Sequence, residues 1–110
     1  TSSALYAQTN AEGGFALGVS NVGNGYAFSI FSGGSKVSTN VLATGTAIGS
    51  RAVAYLINGG GPYTFGFSVS EGDLFYFFNN TALPITVGGV NIAGNTGRTC
   101  VFLGGSLRGM

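Results

Sequence analysis

The stretch Tyr63-Thr64-Phe65-Gly66-Phe67-Ser68-Val69-Ser70-Glu71-Gly72-Asp73-Leu74-Phe75-Tyr76-Phe77-Phe78 starts as a strict alternation and then abandons it. Tyr63, Phe65, Phe67 and Val69 stand opposite Thr64, Gly66, Ser68 and Ser70, a period of two that puts the large side chains on one face of a β-strand. From Leu74 to Phe78 every residue is large and apolar, so this strand carries apolar side chains on both faces and needs cover on both. One face is expected to meet the opposite sheet. The other is expected to meet a neighbouring subunit, a long loop of the same chain being the alternative. On this reading Phe75 and Phe77 lie at the subunit interface, and Leu74 and Phe78 belong to the fold itself.

The period of two extends outward from this stretch. It recurs in Phe15, Leu17 and Val19, in Tyr26, Phe28 and Ile30, and in Val53, Tyr55 and Ile57. Between the runs lie Gly- and Asn-rich turns at 21–25, 32–35, 58–62, 70–73, 79–80, 88–89 and 95–97, where both residues tolerate positive φ. Short strands separated by regular turns predict an all-β fold, an antiparallel β-sandwich or jelly roll of about eight strands. Residues 38–48 are undecided between a helical turn and a strand, with Thr and Gly favouring strand or loop. No repeat at a fixed spacing of about 20–50 residues is visible, which argues against a solenoid or propeller. The length of 110 residues suits one domain over 1–110. The chain reads as a processed product or an excised domain, with residues 1–10 next to a stalk or donating a strand to another copy.

Charge is the anomaly in the composition. Four Lys+Arg and three Asp+Glu make 6% of the chain, against roughly 25% in ordinary soluble domains. The basic residues Lys36, Arg51, Arg98 and Arg108 are scattered, so no row of phosphates can be matched and nucleic-acid binding is not expected. No apolar run approaches the length of a membrane helix, and no membrane insertion is expected. A surface this poor in charge is expected to be buried against further copies, so a homo-oligomer is predicted.

Catalytic chemistry is thinly supplied. Without histidine the commonest general base and metal ligand is missing, and Cys100, the single cysteine, has neither an imidazole partner nor an internal disulfide. Cys100 sits in the last apolar strand and reads as a buried, inert thiol. The carboxylates are Glu12, Glu71 and Asp73, the last two in a turn where a solvated role is expected. Gly59-Gly60-Gly61 lacks the Lys-Ser/Thr of a phosphate loop and reads as a hairpin loop. No enzyme activity and no cofactor or metal are expected. Asn79-Asn80-Thr81 fits a glycosylation sequon, but Asn79 reads as a turn residue.

Binding capacity is therefore expected in loops and beside them. The candidate binding residues are Asn24, Tyr26, Asn58, Tyr63, Asn79 and Asn80, neutral amides near aromatic rings that suit an uncharged sugar better than a phosphate or carboxylate.

The order of the second half, a Gly-rich turn, the strand ending Phe67-Ser68-Val69-Ser70-Glu71-Gly72-Asp73, then Leu74-Phe75-Tyr76-Phe77, another strand pair and a closing Thr99-Cys100-Val101-Phe102-Leu103, resembles the β-sandwich tip domains of trimeric phage tail fibres. More remotely it resembles tumour necrosis factor-like and complement-globular-head jelly rolls, although their usual tryptophan is missing. The resemblance covers about residues 52–103 and rests on a short motif. It implies a trimer on a stalk, on a virion or extracellular surface, whose far loops contact a host-surface glycan or protein. The alternative class is a self-assembling subunit of an extracellular filament or capsid-like shell.

Overall fold

Parallel and antiparallel pairing are mixed in this chain, where antiparallel pairing alone was expected. The computed structural model describes residues 7–10, 15–28 and 32–110, and its contacts group the chain into two units, Thr1–Ser35 and Lys36–Met110. Among the described residues there is no helix. Nine strands lie in the second unit: β1 (Thr39–Leu42), β2 (Ala47–Ile48), β3 (Ala54–Ile57), β4 (Thr64–Phe65), β5 (Leu74–Asn79), β6 (Ile85–Val87), β7 (Val90–Ile92), β8 (Thr96–Leu103) and β9 (Ser106–Gly109).

The larger sheet runs β1-β3-β5-β8-β9, with β1, β3 and β5 parallel and β5, β8 and β9 antiparallel. Between these strands the chain crosses to a second layer, where β2 pairs with β4 in parallel and Tyr63 bridges to Val87, also in parallel. The hairpin β6–β7 adds an antiparallel pair. The all-β expectation holds, while the antiparallel sandwich does not describe these ladders. The chain winds back and forth between two layers as a short coil, then closes with a meander. The turns of this coil differ in length. Thr39 pairs with Ala54, 15 positions on, whereas Ala54 pairs with Tyr76, 22 positions on. Unequal crossovers leave parallel pairing intact and erase the sequence period.

The core lies between the layers and is aromatic. Tyr55 of β3 stacks on Phe77 of β5 at 5.2 Å between ring centres, and Phe65 of β4 lies 5.0 Å from Phe75. Tyr63, Phe65, Phe67 and Val69 face this core as their alternation predicts. Arg51 closes one rim, its guanidinium 4.8 Å above the Phe67 ring while bonded to Asp73 and to the Ser68 carbonyl.

Strand β5 obeys strict alternation despite its apolar run, and the faces are the reverse of those expected. Phe75 and Phe77 are 2% and 0% exposed and point into the core, so they cannot form a subunit interface. Leu74 and Tyr76 point outward, and Phe78 shares their face at half burial. The sequence shows that both faces of β5 are apolar but not which is inner. That is set by the ladder, which aligns Phe77 with Tyr55 and Phe78 with Leu56.

In the Thr1–Ser35 unit the strands expected around Phe15–Val19 and Tyr26–Phe28 are not formed among the described residues, and all five of these large side chains are exposed. An alternating segment becomes a strand only when a neighbouring strand takes its backbone groups and a core takes its apolar face. The 21–25 loop is held locally, Asn21 accepting from the Gly23 N–H and donating to the Tyr26 carbonyl. Ile30 and Glu12 lie outside the described residues, as does most of the 1–10 segment.

Candidate functional site

Two of the loops singled out for binding come together. The 58–62 loop follows β3 and the 80–85 segment follows β5, and because β3 and β5 are parallel neighbours both loops leave the sheet at the same end. Asn80 Nδ2 donates to Asn58 Oδ1 at 3.0 Å, and the Asn80 N–H donates to the Ile57 carbonyl at 2.8 Å. Beside this pair opens a cleft of about 420 Å³, with Gly59 and Gly60 on one wall and Thr81 to Ile85 on the other. No charged residue lines it. Its walls offer backbone groups, the Thr81 hydroxyl and the apolar surfaces of Leu83 and Pro84. A neutral, partly apolar concavity of this size falls in the range of small-ligand sites.

Tyr63 and Asn79 do not serve as binding residues. Tyr63 is 1% exposed, and its hydroxyl donates to the Gly59 carbonyl at 2.5 Å, so it props the loop from inside and cannot stack on a ligand. Burial raises the Tyr63 pKa, which keeps the hydroxyl a donor. Asn79 is 0% exposed and occupies the same inward face as Phe75 and Phe77. Its Nδ2 donates to the carbonyls of Leu83 (2.8 Å) and Ile92 (3.0 Å), and its Oδ1 accepts from the N–H and hydroxyl of Thr81. The sequon asparagine is thus a fully bonded strut that shapes one wall of the cleft. Its signal was available in the period-two reading, since 75, 77 and 79 share a parity. Asn58 and Asn80 are exposed next in sequence to the cleft's walls but do not line it. Asn24 and Tyr26 are exposed in the Thr1–Ser35 unit.

The described carboxylates hold turns. Asp73 pairs with Arg51 at 3.1 Å and accepts from the Ser70 N–H. Glu71 accepts from the N–H groups of Gly105 (2.9 Å) and Gly104 (3.0 Å), which form the β8–β9 turn with φ of 82° and 65°. Only a residue without Cβ takes both positions cheaply, and this conformation aims the two N–H groups at one anion. The Gly105 bond, then the Gly104 bond, hold the Glu71 carboxyl below its ordinary range, with Arg108 assisting. A carboxyl depressed in the folded state contributes stability that is complete above its unfolded pKa and is lost as pH falls through the folded one. Glu71→Gln is expected to lower the melting temperature at neutral pH, with the difference from wild type vanishing in acid. Paired melts across that range check it. Cys100 is buried, and burial pushes its thiol pKa up against the opposing effect of Arg98.

Comparison with protein-family models, curated proteins and solved structures finds no match to this chain.

Proposed function

We propose that this chain is a non-enzymatic adhesion tip, a homo-oligomer, trimeric as in phage tail fibres, that acts on a virion or extracellular surface and contacts an uncharged host-surface glycan through the cleft between the 58–62 and 80–85 loops. The observation that carries the reading is a cleft lined without a single charge, flanked by the bonded pair Asn58 and Asn80. Such a lining favours hydroxyl-rich, neutral ligands, because an anion would enter with no counter-charge to offset its desolvation. The proposal rests on this site and on the resemblance of residues 52–103, and does not require the all-antiparallel jelly roll of the resembled tips. A filament built by strand addition is less favoured. On edge strand β1 the Val41 N–H is already taken by Asn40 Oδ1 at 2.9 Å, a device that blunts an edge.

Glycan-array binding of the full chain tests the reading. Neutral glycans are expected to bind, with signals unchanged between about 50 and 500 mM salt, since screening does not act on uncharged contacts. Leu83→Glu, at a largely exposed wall position, is expected to abolish them without altering the fold. Hits confined to sulfated or sialylated glycans, or binding that disappears with salt, overturn the proposal.

A further inference from the structure

Asparagine precedes glycine at two places in this chain, Asn24-Gly25 and Asn58-Gly59. In such a pair the glycine backbone nitrogen can reach the asparagine side chain, because no Cβ opposes the backbone rotation that the approach needs. The two pairs are held very differently. Around Asn58 the backbone is tied on both sides, the Asn58 N–H donating to the Leu42 carbonyl at 2.8 Å and the Gly59 carbonyl accepting from the Tyr63 hydroxyl. The side chain is tied as well, its Oδ1 accepting from Asn80 Nδ2 at 3.0 Å. Asn24 and Gly25 are exposed, and the bonds that shape their loop belong to Asn21, which serves the Gly23 N–H and the Tyr26 carbonyl. Among the described residues neither the Asn24 side chain nor the Gly25 N–H is bonded.

We infer that Asn24 is a site of spontaneous deamidation, and that the bonds around Asn58, the one from Asn80 among them, shield Asn58 from the same reaction. At Asn24 the Gly25 backbone nitrogen gives up its proton to solvent and attacks Cγ. The new C–N bond closes a five-membered imide while the Cγ–Nδ2 bond breaks, and the amide leaves as ammonia after taking a proton from water. Water then opens the ring at either carbonyl, which leaves aspartate or isoaspartate. No oxidant or reductant takes part. At Asn58 the same approach requires the side chain to leave Asn80 and the peptide to turn away from Leu42 or Tyr63, and loss of two such bonds slows a reaction by about tenfold or more. Residues 13–35 hold no charged side chain, so the carboxylate formed at 24 is the only charge in that run. It also lowers the formal net charge from +1 to zero, where repulsion between copies is lost. The inference is independent of the proposed function.

Ageing of the full chain at about pH 8.5, where base draws the proton from the attacking nitrogen, followed by peptide mapping by mass spectrometry, tests it. The ratio of the conversion rate at 24 to that at 58 is expected to be about tenfold or more higher in the native chain than in denaturant, where the bonds around Asn58 are gone. Asn24→Ser is expected to abolish most of the acidic species that isoelectric focusing detects in aged wild type. Asn80→Ala, at an exposed position, is expected to keep the circular dichroism spectrum of wild type and to accelerate conversion at 58 by about threefold or more, with 24 unchanged. A rate ratio no larger in the native chain than in denaturant overturns the inference. A rate at 58 that Asn80→Ala leaves at its wild-type value overturns the role given to Asn80.

Discussion

Asn79→Asp is expected to leave the chain unfolded at neutral pH, and Asn79→Ala to cost about 3 kcal/mol or more, because several buried groups then lose their partner at about 1–3 kcal/mol each. The Asn79 amide satisfies the carbonyls of Leu83 and Ile92 and the N–H of Thr81 from a position with no solvent access. Alanine leaves these groups bare. Aspartate is worse, since its carboxylate keeps the bond from Thr81 but turns a second oxygen towards two carbonyls where a donor is required. Burial among carbonyls raises the folded pKa of such a carboxyl above its unfolded value. The penalty therefore grows as pH rises above the unfolded pKa, and the Asp variant is expected to be more stable at about pH 4 than at pH 7, the opposite of the behaviour that Glu71 imposes on wild type. Denaturant titrations at the two pH values check the order. An Asn79→Ala variant within about 1 kcal/mol of wild type would show that water replaces the amide and that the strut is dispensable.

The contrast between Asn79 and Asn80 shows how far the sequence could be read. Alternation is a local property of an extended backbone, so it was legible in β3 and around β4, where Tyr55 and Ile57, and Tyr63 and Phe65, face the core as their spacing demands, but not in β1 and β2. Which loops gather at one end is not local. Residues 58–62 and 80–85 meet because β3 and β5 run parallel, and that direction is fixed by crossovers through the second layer, where β2 and β4 are only two residues long. Strands so short carry almost no periodic signal, which hid the coil and its parallel ladders. The opposite failure occurs at Phe15–Val19 and Tyr26–Phe28, where the pattern is present and the described residues form no strand. A period of two states what a segment can become when paired, and only the ladder decides whether it is paired.

The second large effect is expected at Phe77, and it separates the two faces of β5. Phe77→Ala removes a ring with no solvent exposure, stacked on Tyr55 at 5.2 Å and 6.1 Å from the Phe75 ring centre. A deletion of this kind costs about 3–5 kcal/mol, the transfer of the lost carbons plus the cavity that rigid neighbours cannot fill. Collapse is hindered here by the neighbours' own bonds. The Tyr55 hydroxyl donates to the Ser50 carbonyl at 2.8 Å and accepts from the Ala52 N–H at 2.7 Å, so moving that ring into the gap would break both. Leu74→Ala, three residues away on the outer face, is expected to cost less than about 1 kcal/mol in the isolated subunit, because half of its surface is already wet. The loss at Phe77 is expected to be the same at every protein concentration, because it arises inside the subunit. Chemical denaturation of both variants at low and high protein concentration distinguishes them. A loss at Leu74 as large as that at Phe77 would overturn this assignment of inner and outer faces.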